Sequence, residues 1–149
     1  EQVKQNWEKI KINQEGNKSV LGGVPKGLPA MIKAERIQEK VRGVGFEWEN
    51  PEQVWEKVQE EMNELNAEIV SKNSAEKTEE EFGDVLFTLI NYARFLNISP
   101  ETALEKANKK FIKRFEFIEQ KINEQGRNIT DSNLTEMDGF WNEAKKQGL

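Results

Sequence analysis

Residues 60–84 read EEMNELNAEIVSKNSAEKTEEEFGD, and how this stretch is divided decides the fold. Its first part carries on an apolar stripe, Val54, Val58, Met62, Leu65 and Ile69, at the three-to-four residue spacing of an amphipathic helix. SKNS (71–74) interrupts that period. Its last part, KTEEEFGD, runs straight into VLFTLINYARFL (85–96), which is apolar around most of a helical circumference. A short polar break between two such segments predicts two antiparallel helices packed on each other.

Outward from this pair the pattern stays helical. Asn50 is placed to cap the first helix, with Pro51 at N1 and Gln53 at N3 as a capping box, and the helix is expected to reach about Val70. Its partner is expected over roughly 76–97. Upstream, Val3, Trp7 and Ile10 predict a short N-terminal helix over 1–14, and the glycine-rich EGNKSVLGGVPKGLP (15–29) reads as a loop. Pro29 is suited to the first turn of a helix bearing Met31, Ala34, Ile37, Val41 and Val44. Downstream, Ser99 and Pro100 open a helix bearing Leu104, Ala107, Phe111, Phe115, Ile118 and Ile122, which Gly126 stops. Thr135 and Asp138 are candidate caps for a last helix with Met137, Phe140, Trp141 and Ala144. No strand pattern occurs. The expected fold is an all-α helical bundle, one domain over 1–149, in which 1–29 are the N-terminal helix and loop and 30–149 the helical core.

The acids of residues 60–84 follow a pattern of their own. An α-helix turns about 100° per residue. With Glu61 at zero, the stripe of its helix lies at roughly 20–100° and Glu64 about 60° to the other side. With Glu81 at zero, Val85, Leu89, Phe82 and Ala93 lie at roughly 40–120° and Asp84 again about 60° outside. Both helices thus carry an acidic pair on the same flank of their apolar faces. Acids are common in first helical turns, where the helix dipole favours them, so KTEEEF alone implies only a solvated face. The matched flanks imply more. Four converging carboxylates repel one another unless a cation sits among them. An oxygen-only donor set suits Mg²⁺ or Mn²⁺.

Composition excludes the main competitors. Among 149 residues there is no cysteine and no histidine, which removes disulfides, thiolate sites, the usual zinc ligand and a serine–histidine triad. A di-iron bundle needs Glu-x-x-His pairs and is excluded with them. A net charge of −5 argues against a nucleic-acid-coating surface, and no apolar run reaches the length of a membrane span. Nothing resembles a signal peptide, so a cytoplasmic home is expected. The circumferentially apolar 85–96 helix predicts a homodimer whose partner completes the bundle.

A basic row faces the acidic signature in composition. Lys106, Lys110 and Arg114 follow at i, i+4, i+8, and Lys110 and Arg114 border the Phe111/Ile118 stripe. Trp141 and Lys145 put an aromatic plane and a cation one turn apart. By themselves these are a solubilising face and a core tryptophan. Beside a metal cluster they suit phosphates and a base.

Glu60-Glu61-x-x-Glu64 followed by Glu81-x-x-Asp84 resembles the EExxE…ExxD signature of the MazG nucleoside triphosphate pyrophosphohydrolases. VPKGLPAMIKAERIQEKVRGVGFEWENPE (24–52), FGDVLFTLINYARFLNISPETAL (82–104) and KANKKFIKRFEFIE (106–119) extend the resemblance to the family's C-terminal domain. The resemblance implies metal ligation and catalysis by Glu61, Glu64, Glu81 and Asp84, with Glu60 and Asn91 in support. It implies phosphate binding by Lys110 and Arg114, nucleotide contact by Trp141 and Lys145, and Mg²⁺ as cofactor with Mn²⁺ able to substitute. It also implies hydrolysis of an NTP or dNTP to NMP and pyrophosphate, as nucleotide-pool house-cleaning. Many members carry two tandem domains, and a chain opening on Glu1 is expected to be part of such a protein. Two other functions suit the same pattern: a pyrophosphohydrolase dedicated to dUTP, dCTP or phosphoribosyl-ATP, and a non-catalytic helical dimerisation module.

Overall fold

A computed structural model describes residues 19–72 and 74–149. The helix expected over 1–14 lies outside the described residues. Among those described, five α-helices follow one another: α1 Ala30–Gly43, α2 Pro51–Ser71, α3 Ala75–Phe95, α4 Pro100–Glu124 and α5 Leu134–Lys146, with a 3₁₀ turn at Ile129–Asp131. There is no strand among the described residues, so the fold is all-α as the periodicity predicts. None of these helices is long and apolar enough to cross a membrane. The chain divides into two compact units, one ending at Glu101 and the other spanning Thr102–Leu149.

In the first unit α2 and α3 pack along each other, and α1 lies against α3. The turn between α2 and α3 is tight because Lys72 takes a left-handed conformation (φ 51°) and Ser74 Oγ accepts from the Lys77 N–H at 3.2 Å. At the start of α2, Asn50 Oδ1 accepts from the Gln53 N–H at 3.0 Å, as expected. The return bond differs from a capping box: Gln53 Oε1 accepts from the N–H of Glu49, not of Asn50, at 2.9 Å. Pro29 stands one residue ahead of α1, in the N-cap position.

The core of this unit contains Ala34, Val54, Val58, Val85 and Ile90. Each of the two fully buried valines, Val54 and Val58, contributes about 1.5–3 kcal/mol. Three polar side chains are buried with them: Gln38, Glu61 and Thr88. This corrects the expected face of α2. The buried strip runs through Val54, Val58 and Glu61, while Met62 and Ile69 are exposed. The inward face is rotated toward the acids because α3 meets α2 on that flank. Leu86, Phe87 and Leu89 of α3 are 40–46% exposed, as expected of a helix apolar on several sides.

In the second unit Ile118 and Ile122 of α4 and Ala144 of α5 are buried, and Lys121 pairs with Glu143 at 3.1 Å. Gly126 (φ 72°) terminates α4 as predicted, with the Arg127 N–H donating to Ile122 O at 3.3 Å. The start of α5 differs from expectation. Asn133 is the cap, its Oδ1 accepting from the Glu136 N–H at 3.0 Å, and Thr135 and Asp138 lie within the helix. The same Glu136 carboxylate takes Arg127 at 2.6 and 3.0 Å and the Ser132 hydroxyl at 2.6 Å. These bonds, Arg127 first, hold its carboxyl below the ordinary range.

Candidate functional site

Glu61 follows Val54 and Val58 on the inward strip of α2, and Glu81 and Asp84 lie one turn apart on the facing α3. One carboxylate oxygen from each of Glu61, Glu81 and Asp84 lies within 4.8 Å of the others. Glu61 is buried, Glu81 half-buried and Asp84 exposed, so the group is open on one side. Glu64, the fourth predicted ligand, is exposed and stands outside this trio. It is nevertheless the strongest of the neighbouring charges acting on Glu81.

Loss of hydration, followed by the charges of Glu64, Asp84, Glu61 and Glu68, pushes the Glu81 carboxyl above its ordinary value of 4.5. Its Oε2 is buried without a hydrogen-bond partner. An ionised carboxylate in that position is costly unless a cation answers it. Three oxygen donors, one with an orphaned buried atom, fit a hard divalent cation.

Lys57 is a site residue that the sequence does not single out. Its Nζ lies 2.8 Å from Glu61 and 3.2 Å from Glu60. The Glu61 carboxylate holds its ammonium above the ordinary lysine value. The only signal is its i, i+4 spacing to Glu61, which in KVQEE is indistinguishable from a solvated ion pair. Glu60, predicted as a supporting residue, is exposed and reaches this site through Lys57.

A cavity of about 490 Å³ adjoins the acids, with Lys57, Glu61 and Asp84 in its wall. Phe46, Trp48 and Phe87 add aromatic surface, and Gln38, Thr88 and Asn91 add polar groups. Asn91 Oδ1 accepts from Arg94 Nη2 at 2.8 Å, and Arg94 in turn pairs with Glu47.

The other predicted residues belong to the second unit. The Arg114 guanidinium lies over the Trp141 ring, 5.2 Å from its centroid, and its Nε donates to Leu149 O at 2.8 Å. Phe111 backs the same indole at 5.1 Å. Lys110 and Lys145 are exposed. The unit thus presents an aromatic plane with a cation against it, flanked by lysines.

The raised carboxyl has a pH consequence. Glu81 binds its proton more tightly folded than unfolded, so this group favours the metal-free fold below pH 4.5 and ceases to do so as pH rises through the folded value. A cation must displace that proton. Divalent-cation affinity is therefore expected to rise with pH and to level off once pH passes the raised folded value, with proton release measurable by calorimetry in buffers of different ionisation enthalpy.

The described residues thus form an all-helical domain in which two facing helices bring together an oxygen-only cluster that could hold a cation. Residues 49–117 match the sequence pattern of the MazG nucleotide pyrophosphohydrolase domain, so the chain carries a domain of the MazG family. It is 41% identical over 141 residues to the nucleoside triphosphate pyrophosphohydrolase/pyrophosphatase MazG of Thermotoga maritima, covering 93% of this chain and 54% of that protein. It is 37% identical over 152 residues to the nucleoside triphosphate pyrophosphohydrolase of Escherichia coli K12, covering 99% and 58%. An uncharacterized protein, YabN of Bacillus subtilis, is 45% identical over 143 residues, covering 95% of this chain and 29% of its own length. The chain thus spans little more than half the length of the two named pyrophosphohydrolases.

Proposed function

We propose that this chain hydrolyses nucleoside triphosphates, ribo or deoxy, between the α and β phosphates, releasing a nucleoside monophosphate and pyrophosphate, as cytoplasmic house-cleaning of the nucleotide pool. The trio Glu61, Glu81 and Asp84 beside a nucleoside-sized cavity carries this reading. The names of the relatives support the same activity. Glu61, Glu64, Glu81 and Asp84 would hold Mg²⁺, with Mn²⁺ able to replace it. When bound, the cation neutralises charge on the triphosphate and assists attack on phosphorus.

The remaining work falls to the chain's own groups. Lys57, held against Glu61, sets the orientation of that carboxylate and offers further N–H bonds to a phosphate. A signature carboxylate accepts a hydrogen bond from the attacking water and takes its proton. Lys110 and Arg114 bind phosphate oxygens, and Trp141 and Lys145 contact the nucleotide. Glu60 and Asn91 support the lysine and the cavity wall respectively.

Hydrolysis in ¹⁸O-water tests the bond broken. Attack at the α-phosphorus labels the monophosphate and releases pyrophosphate with no orthophosphate. Orthophosphate and NDP as the products would rule this function out.

The exposed apolar side chains of α3, Leu86, Phe87 and Leu89, support a homodimer as the working form. Light scattering at micromolar concentration is expected to give twice the chain mass of 17.3 kDa.

A further inference from the structure

Two arginines from different helices converge on one loop carboxylate. Residues 44–50 join α1 to α2, and Gly45 turns them with a φ of 92°. Backbone N–H groups tie the two ends of this loop. Gly45 donates to Arg42 O at 2.9 Å, Phe46 to Val41 O at 3.0 Å, and Glu49 to Gln53 Oε1 at 2.9 Å. The middle is tied by the Glu47 side chain. Its Oε2 takes Arg42 Nε at 2.9 Å, and its Oε1 pairs with Arg94 Nη1.

The two pairs are unequal. Arg42 and Glu47 are five residues apart, and the Arg42 side chain is open to water, so their pair only reinforces a local turn. Arg94 belongs to the last turn of α3, and its side chain is 17% exposed. Its Nη2 donates to Asn91 Oδ1, and its Nε is buried without a partner. Glu47 thus answers a largely buried cation, and breaking such a pair is costly. Phe46, Glu47, Trp48, Asn91 and Arg94 line the same cavity as Lys57, Glu61 and Asp84. Yet Phe46 is 79% and Trp48 45% exposed, so packing alone does not hold either ring. We infer that Glu47 is a positioning residue: through Arg94 it fastens the 44–50 loop to α3 and holds Phe46 and Trp48 at the cavity rim, ready for a nucleotide. Its duty is to the loop, not to the cation or the reacting phosphorus. The inference rests on the proposed nucleotide hydrolysis for its ligand class alone.

The population of the fastened loop sets the expected effect. A loop that adopts this conformation a tenth of the time binds about tenfold more weakly, while the bound complex is the same. Glu47→Gln is therefore expected to raise KM for ATP about tenfold and to leave kcat within about threefold. Mn²⁺ affinity of the nucleotide-free protein, measured by calorimetry, should be unchanged. Arg94→Met should reproduce the higher KM, and adding Glu47→Gln to it should raise KM no further. Arg42→Met should stay within about threefold of the wild type, since its pair is local. Phe46→Ala, at an exposed position that the fold does not need, should also raise KM, and it serves if Glu47→Gln fails to fold. Chymotrypsin cleavage after Phe46 and Trp48, followed by mass spectrometry, reads the loop without turnover. The rate follows the open population, so it should be about tenfold faster in Glu47→Gln. The probe α,β-methylene-ATP, whose bridging carbon blocks the proposed cleavage, should slow it in the wild type. Equal cleavage rates in the wild type and Glu47→Gln would overturn the inference. So would a wild-type KM in Glu47→Gln or Phe46→Ala, or a kcat that falls while KM stays put. If ATP is not cleaved, yet the analogue shields the wild-type loop and not that of Glu47→Gln, the hydrolytic function fails and the positioning role stands.

Discussion

Replacing Glu61, Glu64, Glu81 or Asp84 with alanine is expected to lower turnover of nucleoside triphosphates about a hundredfold or more in each case. The magnitude follows from what the cluster does to charge. A triphosphate at the proposed site would bring several negative charges, tolerable only with a divalent cation between them and the acids. Glu61, Glu81 and Asp84 already have oxygens within 4.8 Å of one another, so removing one opens the donor set directly. Glu64 stands apart from that trio, yet its charge bears on Glu81 more than that of any other neighbour, and it shares their field. Stability should move the other way. In EDTA, Glu81→Gln is expected to raise the melting temperature, because it removes a charge that burial and four neighbouring acids oppose. Loss of activity with a retained or raised Tm separates a ligand from a structural residue. Full turnover in excess EDTA would contradict the metal dependence outright.

The helices and the acidic flank are legible in the sequence because both depend on local spacing alone. Period 3.6 locates α2 and α3 to within a residue or two, and the wheel puts Glu61 and Glu81 beside their apolar stripes. What escapes is set by the neighbouring helix. Glu61 is not beside the buried face of α2 but in it, because α3 packs on the flank that carries the acids. Gln38 breaks the apolar pattern of α1 and gives no reason to expect burial, yet a carbonyl on another helix fixes it. Lys57 is one of many surface lysines by spacing, and only its 2.8 Å contact with Glu61 sets it apart. The cap of α5 is ambiguous for a simpler reason. Asn133, Thr135 and Asp138 are all good capping types, and only the hydrogen bond to the Glu136 N–H distinguishes the first. In the second unit the spacing of Lys110, Arg114, Trp141 and Lys145 is readable, but the stacking of Arg114 on the indole depends on how α5 meets α4.

That stacking shapes the second large effect expected. Arg114→Ala should lower kcat/KM about a hundredfold, and Lys110→Ala should lower it strongly, while divalent-cation binding to the nucleotide-free protein is unchanged. The guanidinium is held at two points, by the Trp141 face at 5.2 Å and by Leu149 O at 2.8 Å, so it is presented with little rotamer freedom left to lose. A lysine offers neither the planar fork nor the stack, so Arg114→Lys should recover only part of the activity. Trp141→Ala removes one of the two supports without removing the charge. If the indole only stacks on the nucleotide, that change raises KM and leaves kcat nearly intact, since stacking binds substrate and transition state alike. If its larger duty is to aim Arg114, kcat falls as well, and Trp141→Phe, which keeps an aromatic face under the guanidinium, restores it. Steady-state kinetics on Arg114→Ala, Arg114→Lys, Trp141→Ala and Trp141→Phe separate the two duties. An Arg114→Ala protein with wild-type kcat/KM would remove the arginine from the site altogether.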